Sequence, residues 1–312
     1  MSNEDHLERD KAIALLFKKS QGTPEMPQVE REVLAPNYAR IRGGGLHLAA
    51  NAKDQGWPPP GPYLRTAFPD RVDTIEQVIA EGDRVGLLFR LGATHKASYC
   101  GIEPTGSRVD VHELAMLRIA GDRMVEGWFI MDEAELLLQL RRRLPRRGDA
   151  RLVVPALPET GDHPDALLAQ LEGSDDDTPE ARNKRAVVQA FSSRPGGHSP
   201  RVERRAFPHM PETLPTDDPA GQTLRSALSQ HRVRIEALIA EGSTVWARVN
   251  FTGQQVNSLY GIPAERRVLG GHVVVIATFE GERWSRMWCL GDELGLLLQL
   301  GRPDLLVEQA AR

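Results

Sequence analysis

The chain repeats itself, and that limits what it can fold into more than any other feature. Residues 64–140 align with 224–300 at a constant offset of 160, with 24 identities in 77 positions. Ordinary residue frequencies would give roughly 5. IEQVIAEGDRV (75–85) answers IEALIAEGSTV (235–245), CGI (100–102) answers YGI (260–262), and WFIMDEAELLLQL (128–140) answers WCLGDELGLLLQL (288–300). A duplication on this scale argues for two small cores in 312 residues, since single cores rarely grow beyond ~250 residues.

Upstream the offset changes. PQVER (27–31) matches PRVER (200–204), and AIALLF (12–17) matches AVVQAF (186–191), at about 173 residues. The second copy is therefore shorter by about 13 residues. This alignment assigns the loss to the Gly- and Pro-rich stretch 37–62, a loop of the kind that covers a pocket or lacks order. Residues 141–177 carry a basic cluster, prolines and an acidic run, the composition of a linker, with one short helix expected in HPDALLAQLEG. Thr178-Pro179-Glu180 then opens the second copy with an N-cap residue and proline at the first helical position. The expected organisation is a first domain over 1–144, a linker over 145–177 and a second domain over 178–312.

Each copy begins with residues at helical spacing: Ala12, Ile13, Leu16 and Phe17, then Val187, Val188 and Phe191. A second short helix is expected after PxVER, and a third ending near Leu64–Phe68. Strands follow. VGLLFRLGATH (85–95) alternates, so Val85, Leu87, Phe89, Leu91, Ala93 and His95 share one face. RVDVHELAMLRI (108–119) turns at Gly121-Asp122 into MVEGWFIM (124–131), and the matching hairpin is expected to turn at Glu280-Gly281. A leucine-rich helix closes each repeat. Helices first and strands after give an α+β class.

The net charge of −4 gives no electrostatic reason to expect nucleic acid or an anionic membrane as partner. Cys100 and Cys289 have no ligand spacing and read as reduced cysteines of a cytoplasmic protein. No secretory signal follows the polar N-terminus, and no run approaches the ~18 apolar residues of a membrane span. Metal-ligand spacing, phosphate-cradling loops and nucleophile–base constellations are absent from the sequence, so no metal or organic cofactor is expected.

With these pieces in order, the first copy resembles the SnoaL-like polyketide cyclases, also grouped as ester cyclases, of the nuclear transport factor 2-like superfamily. The resemblance rests on AFPD (67–70), IAEGDRV (79–85), GATH (92–95), GIEPTG (101–106), MLRIAGDRMVEGW (116–128) and DEAELLLQL (132–140). The second copy keeps IAEG, YGIP, GERW, the Trp-x-x-x-Asp spacing and LLLQLG, but not the Pro-Thr-Gly and Thr-His elements. The resemblance implies two cone-shaped domains, each a curved antiparallel sheet with packed helices around an apolar pocket. It further implies a hydrophobic small-molecule ligand and cofactor-independent aldol-type ring closure, or related lyase or isomerase chemistry. The superfamily also contains binding proteins, so a non-catalytic pocket or scaffold stands as the alternative. Relatives form dimers, which implies pairing of the two repeats within one chain, with further self-association left open.

On that resemblance Asp132 takes the acid/base role, and Asp292 is its counterpart. Both also suit a helix cap, because Asp132-Glu133-Ala134-Glu135 reads as the start of the last helix. His95, on the apolar face of its strand, is the expected assistant, and Gln255 replaces it in the second copy. Trp128, Trp288, Tyr99, His112, Arg118, Asp292 and Gln255 are the remaining candidates for ligand contact. His112 and His272 match at offset 160, although a one-residue gap fits the flanking PTGSRV and PAERRV better. The family commonly places a histidine before the tryptophan. Gly127 and Met287 stand there instead.

Overall fold

The computed structural model describes residues 3–44, 60–142, 159–194, 200, 202–209 and 226–302. The chain divides into two compact units, the first reaching Val154 and the second running from Pro155 to Leu300.

The first unit contains α1 (Asn3–Lys19), α2 (Met26–Val33), β1 (Leu34–Arg42), α3 (Pro60–Ala67), β2 (Val72–Glu81), β3 (Arg84–Thr94), β4 (Arg108–Ala120), β5 (Arg123–Met131) and α4 (Glu133–Leu140). The second contains α5 (Pro164–Glu172), α6 (Pro179–Phe191), β6 (Val202–Arg204), β7 (Leu228–Glu241), β8 (Thr244–Gln255), β9 (Val268–Glu280), β10 (Arg283–Gly291) and α7 (Glu293–Gln299). Each unit holds one five-stranded sheet, ordered β1-β5-β4-β3-β2 and β6-β10-β9-β8-β7. The α+β class holds, but the sheets are mixed rather than wholly antiparallel, because β1 and β6 run parallel to β5 and β10. These edge strands are not joined to their neighbours by hairpins, so no tight turn forces them antiparallel.

Hairpins set the rest of the register. Gly82, Gly121, Gly242 and Gly281 all take φ between 56° and 62° at their turns, a conformation that favours glycine. The last hairpin turns at Gly281-Glu282, one residue later than expected, because Glu280 still pairs with Arg283. In the first unit, α1 and α2 cover the face carrying Val85, Leu87, Phe89, Ala115, Leu117 and Phe129, together with Phe17, Val29 and Val33. We call this helix-covered face the interior.

Two expectations change. PQVER forms part of helix α2, whereas PRVER supplies strand β6. Arg204 pairs with Trp288 as Ile41 pairs with Trp128, so the offset is 163 at this strand (204 − 41) and 174 at the preceding helix (191 − 17). Most of the shortening therefore falls between the first helix and the first strand, not in 37–62. A pentapeptide has little conformational preference of its own, and edge pairing overrides it. Residues 45–59 of that stretch, and 143–147 of the basic run, lie outside the described residues.

The second change concerns 145–177. Asp162 bridges to Ile235 on the edge of β7, and Leu168 of α5 packs on Val188 and Ile235. The expected short helix thus belongs to the core of the second unit. Among the described residues no helix is long and apolar enough to cross a membrane.

Leu168 is 1% exposed, so Leu168→Ala should lower the stability of the second unit by about 2–4 kcal/mol through the cavity it leaves. Denaturant unfolding checks this. A loss within about 0.5 kcal/mol, the range of ordinary surface substitutions, would return residues 164–172 to a linker.

Candidate functional site

The Asp-Glu pair that both repeats carry after the closing strand builds the site. Asp132 accepts from the Glu135 amide at 3.0 Å, and Asp292 accepts from the Gly295 amide at 2.9 Å. Both side chains are helix N-caps. Their backbone amides bind the His112 and His272 carbonyls at 2.9 and 3.1 Å, so strand pairing and cap together decide where the helix starts. The next residues, Glu133 and Glu293, are buried. Sequence reasoning weighed the aspartate and passed over this glutamate. Its identity in both copies was the available signal.

The facing turn is strained alike in both units. Cys100 and Tyr260 take φ of 50° and 56°, each followed by a left-handed glycine. Tyr99 precedes that turn in the first unit, with its ring edge-on to Phe68 at 5.5 Å and fully buried. Its hydroxyl lies beside the Cys100 thiol and makes no well-formed hydrogen bond. Burial pushes this phenol well above its ordinary pKa, helped by Cys100 and Glu133. Burial pushes the Cys100 thiol up to about 12, with Glu133 adding to it. Both groups stay protonated at neutral pH.

His95 comes directly after β3 and is fully buried, stacked on the same Phe68 at 5.3 Å. Its Nδ1 accepts from the Thr105 amide at 3.2 Å. An amide can only donate, so the proton of the neutral ring sits on Nε2, which is buried near the Ala97 backbone and makes no well-formed hydrogen bond. Burial also lowers its pKa, which favours that neutral form. Gln255, at the same position in the second unit, donates to the Ile262 and Pro263 carbonyls at 3.3 and 3.4 Å. Both residues therefore tie down the following loop. Only histidine adds a buried donor beyond that.

The interior of the first unit is not uniformly apolar, as the resemblance implied. Lys18 meets Asp73 at 3.1 Å, Arg71 meets Asp73 at 2.7 Å and Glu113 at 2.6 Å, and Arg42 meets Glu113 at 2.7 Å. Burial alone would raise the Glu113 pKa, but Arg71, Lys18 and Arg42 outweigh it and hold it well below the usual carboxylate range. Burial brings Lys18 down to about 8, against the pull of Asp73. The second unit has His231, Val233 and Val273 at the positions of Arg71, Asp73 and Glu113. His231 and Val233 there line a cleft of about 610 Å³ with Phe191 and Ser192.

Four candidates lie on the opposite sheet face. His112 reaches Glu76 at 3.4 Å, and His272 reaches Glu236 at 3.1 Å. Their pairing with Arg90 and Asn250 establishes the 160 offset here without a gap. Arg118 lies 3.7 Å from Asp83 with its side chain 44% exposed. Trp128 stands opposite Met116 and Trp288 opposite Ile276, both out of phase with the interior residues Ala115 and Val275. Trp288 carries the Arg204 guanidinium 5.0 Å from its ring. Strand parity thus sets these four on the face away from the interior. Gly127 has a local reason: a Cβ there would lie 2.1 Å from the Tyr38 hydroxyl, so tyrosine from β1 fills the space of the expected histidine. Among the described residues no group of three His, Cys, Asp or Glu could hold a metal ion.

The SnoaL-like polyketide cyclase family matches residues 63–140 and 220–300, which is 159 of 312 residues (78 + 81). Similar solved structures include one from Jannaschia sp. CCS1 assigned as a SnoaL-like polyketide cyclase, at 20% identity and TM-score 0.37, covering 45% of this chain and 96% of that one. IdmH from Streptomyces antibioticus, assigned as a polyketide cyclase, shows 24% identity and TM-score 0.36, covering 42% and 97%. AclR from Streptomyces galilaeus, assigned as a hydroxylase, shows 23% identity and TM-score 0.35, covering 43% and 96%. No curated protein matches the chain.

The ion cluster makes stability depend on pH in a defined direction. Glu113 loses its proton more readily folded than at its ordinary 4.5. Its contribution is therefore complete above that value and lost as pH falls toward the depressed native one. Lys18 works at the other end: the native state releases its proton near 8 and the unfolded chain near 10.5, so stability from this group rises with pH between those values. Glu113→Ala takes the carboxylate from Arg42 and one of two carboxylates from Arg71, and should cost about 3–5 kcal/mol at neutral pH. Unfolding of the variant across pH should also show a shallower acid limb. An unchanged acid limb would contradict the cluster.

Proposed function

The chain belongs to the SnoaL-like polyketide cyclase family, and on that premise we propose that its first unit is a cofactor-independent acid–base enzyme acting on a hydrophobic carbonyl compound. Aldol-type ring closure, or a related lyase or isomerase step, is the reaction class. The observation that carries this reading is the pair of buried, protonated donors on Phe68: the Tyr99 hydroxyl, beside the Cys100 thiol, and His95 Nε2–H, near the Ala97 backbone, neither in a well-formed hydrogen bond within the protein. Unsatisfied buried donors cost about 1–3 kcal/mol each. A site that keeps two of them gains that back when an oxyanion binds.

In this proposal Glu133 takes a proton from the carbon beside the substrate carbonyl. The carbonyl oxygen, now an enolate, accepts hydrogen bonds from Tyr99 and His95. The enolate carbon forms the new bond to a second carbonyl, whose alkoxide recovers the proton from Glu133. Nothing is consumed or left over. Glu133 has this role because it is the buried carboxylate directly after the cap, whereas Asp132 already spends one oxygen on the cap. Asp132 is then the positioning residue that fixes the start of α4.

One observation favours the alternative of a non-catalytic ligand carrier: Tyr38 occupies the space at Gly127, where the family commonly has a histidine. Exchange of α-protons of 2-acetylnaphthalene in D₂O, followed by NMR, separates the two readings without the natural substrate. Tyr99→Phe and Glu133→Gln should each lower the catalysed exchange by about 10²-fold or more. Exchange no faster than buffer with the wild-type chain, while the ketone still binds, would establish the carrier instead.

A further inference from the structure

The edge of the second unit's sheet is only partly used. β7 is its outer strand, and Asp162 and Ile235 exchange both backbone hydrogen bonds there, each at 2.9 Å. The residue that would continue this antiparallel ladder is Pro164, opposite Val233. Proline has no amide hydrogen, and here it opens α5, so the segment leaves the edge after one bridge. Ile235 turns its amide and carbonyl outward to Asp162. Val233, two residues back with no bulge between, does the same. Among the described residues no other backbone group takes up this amide or carbonyl. An edge with a free donor and acceptor is a template for one more strand.

This stretch of edge opens into the 610 Å³ cleft, which Pro164, Phe191, Arg232, Val233 and Arg234 help to line. Its two sides differ in chemistry. Val233 shares a face with the core residue Ile235, whereas Arg232 and Arg234 alternate onto the other face. Among the described residues both guanidiniums meet one carboxylate, that of Glu159, at 3.2 Å from Arg232 and 2.5 Å from Arg234. Two cations share one anion, and the Arg232 side chain is still 63% exposed. Residues 159–162 thus show what the edge accepts: an acidic side chain on the arginines and an extended backbone on the strand. The first unit differs at each position, with Val72 and Thr74 for the arginines and Asp73, held by Lys18 and Arg71, for Val233.

We propose that the second unit binds an extended peptide of a partner protein, with acidic and apolar residues alternating, as an added strand on β7. An apolar residue opposite Val233 exchanges both backbone hydrogen bonds with it and shares its face of the sheet, the side that Phe191 also lines. The acidic residues on either side point to the arginine face, where a second carboxylate balances the charge that Glu159 leaves over. Backbone pairing supplies affinity, and the alternation selects sequence. The site uses no residue of the reaction proposed for the first unit, so the two readings are independent.

Fluorescence anisotropy of a labelled, end-blocked peptide, Val-Asp-Val-Asp-Val, titrated with the full chain, tests this. Saturable binding is expected, and it should weaken as salt rises. Lysine in place of both aspartates should weaken it by about tenfold or more. Arg232→Glu, at an exposed position, should do the same. N-methylation of the three valines removes the amide donor whichever valine faces Val233, and should also cost about tenfold. Equal binding of the aspartate and lysine peptides would overturn the proposal, as would undiminished binding of the N-methylated peptide or of the wild-type peptide to Arg232→Glu. Absence of saturable binding would overturn it too. Displacement by hexanoate as effective as by unlabelled peptide would assign the cleft to small carboxylic acids instead.

Discussion

A single cap hydrogen bond organises both units. When Asp132 or Asp292 accepts the amide three residues on, the closing strand ends and a helix begins at a fixed residue. Strand pairing has already tied the aspartate's own amide to the neighbouring strand. With both ends of this joint set, the residue after the cap turns inward. That residue is glutamate in both copies, buried opposite a strained turn that both copies also keep. The phenol on that turn comes from Tyr99 in one unit and Tyr260 in the other.

Around this shared joint the two interiors solve the same packing problem differently. The first gathers five charged side chains, from helix α1, the segment before β2 and three strands, within its interior. Buried ion pairs add little net stability compared with well-packed apolar residues, yet removing one partner is costly. The second replaces Asp73 and Glu113 with Val233 and Val273 and opens a cleft beside His231. Duplication kept the frame, while each interior acquired its own chemistry.

Much of this was legible in the sequence, and the failures have definite causes. The repeat established two units, and alternation from Val85 to His95 correctly turned His95 inward. Trp128 was singled out as a matched aromatic and not by alternation, and its pairing with Met116 sets it on the face away from Ala115. His112 sat in a mixed set that fixed no direction, and its Glu76 partner belongs to a non-neighbouring strand. Glu113 was a visible anomaly, the lone acid among Val109, Val111, Ala115, Leu117 and Ile119. Its partners Arg42, Arg71 and Lys18 come from three separate segments, and no sequence pattern joins them. Asp132 drew attention over Glu133 because the family motif ends on it, whereas helix geometry gives the interior to the next residue.

In the proposed reaction Tyr99 and His95 together receive a carbonyl oxygen. Carbon-13 NMR of 2-acetylnaphthalene, labelled at the carbonyl and bound to the full chain, reports on that oxygen. Two donors in a water-excluded site should move the carbonyl resonance downfield of its position in water, and Tyr99→Phe should return part of that displacement. A bound resonance at or upfield of the aqueous position, unchanged in Tyr99→Phe, would contradict the assignment of these two donors.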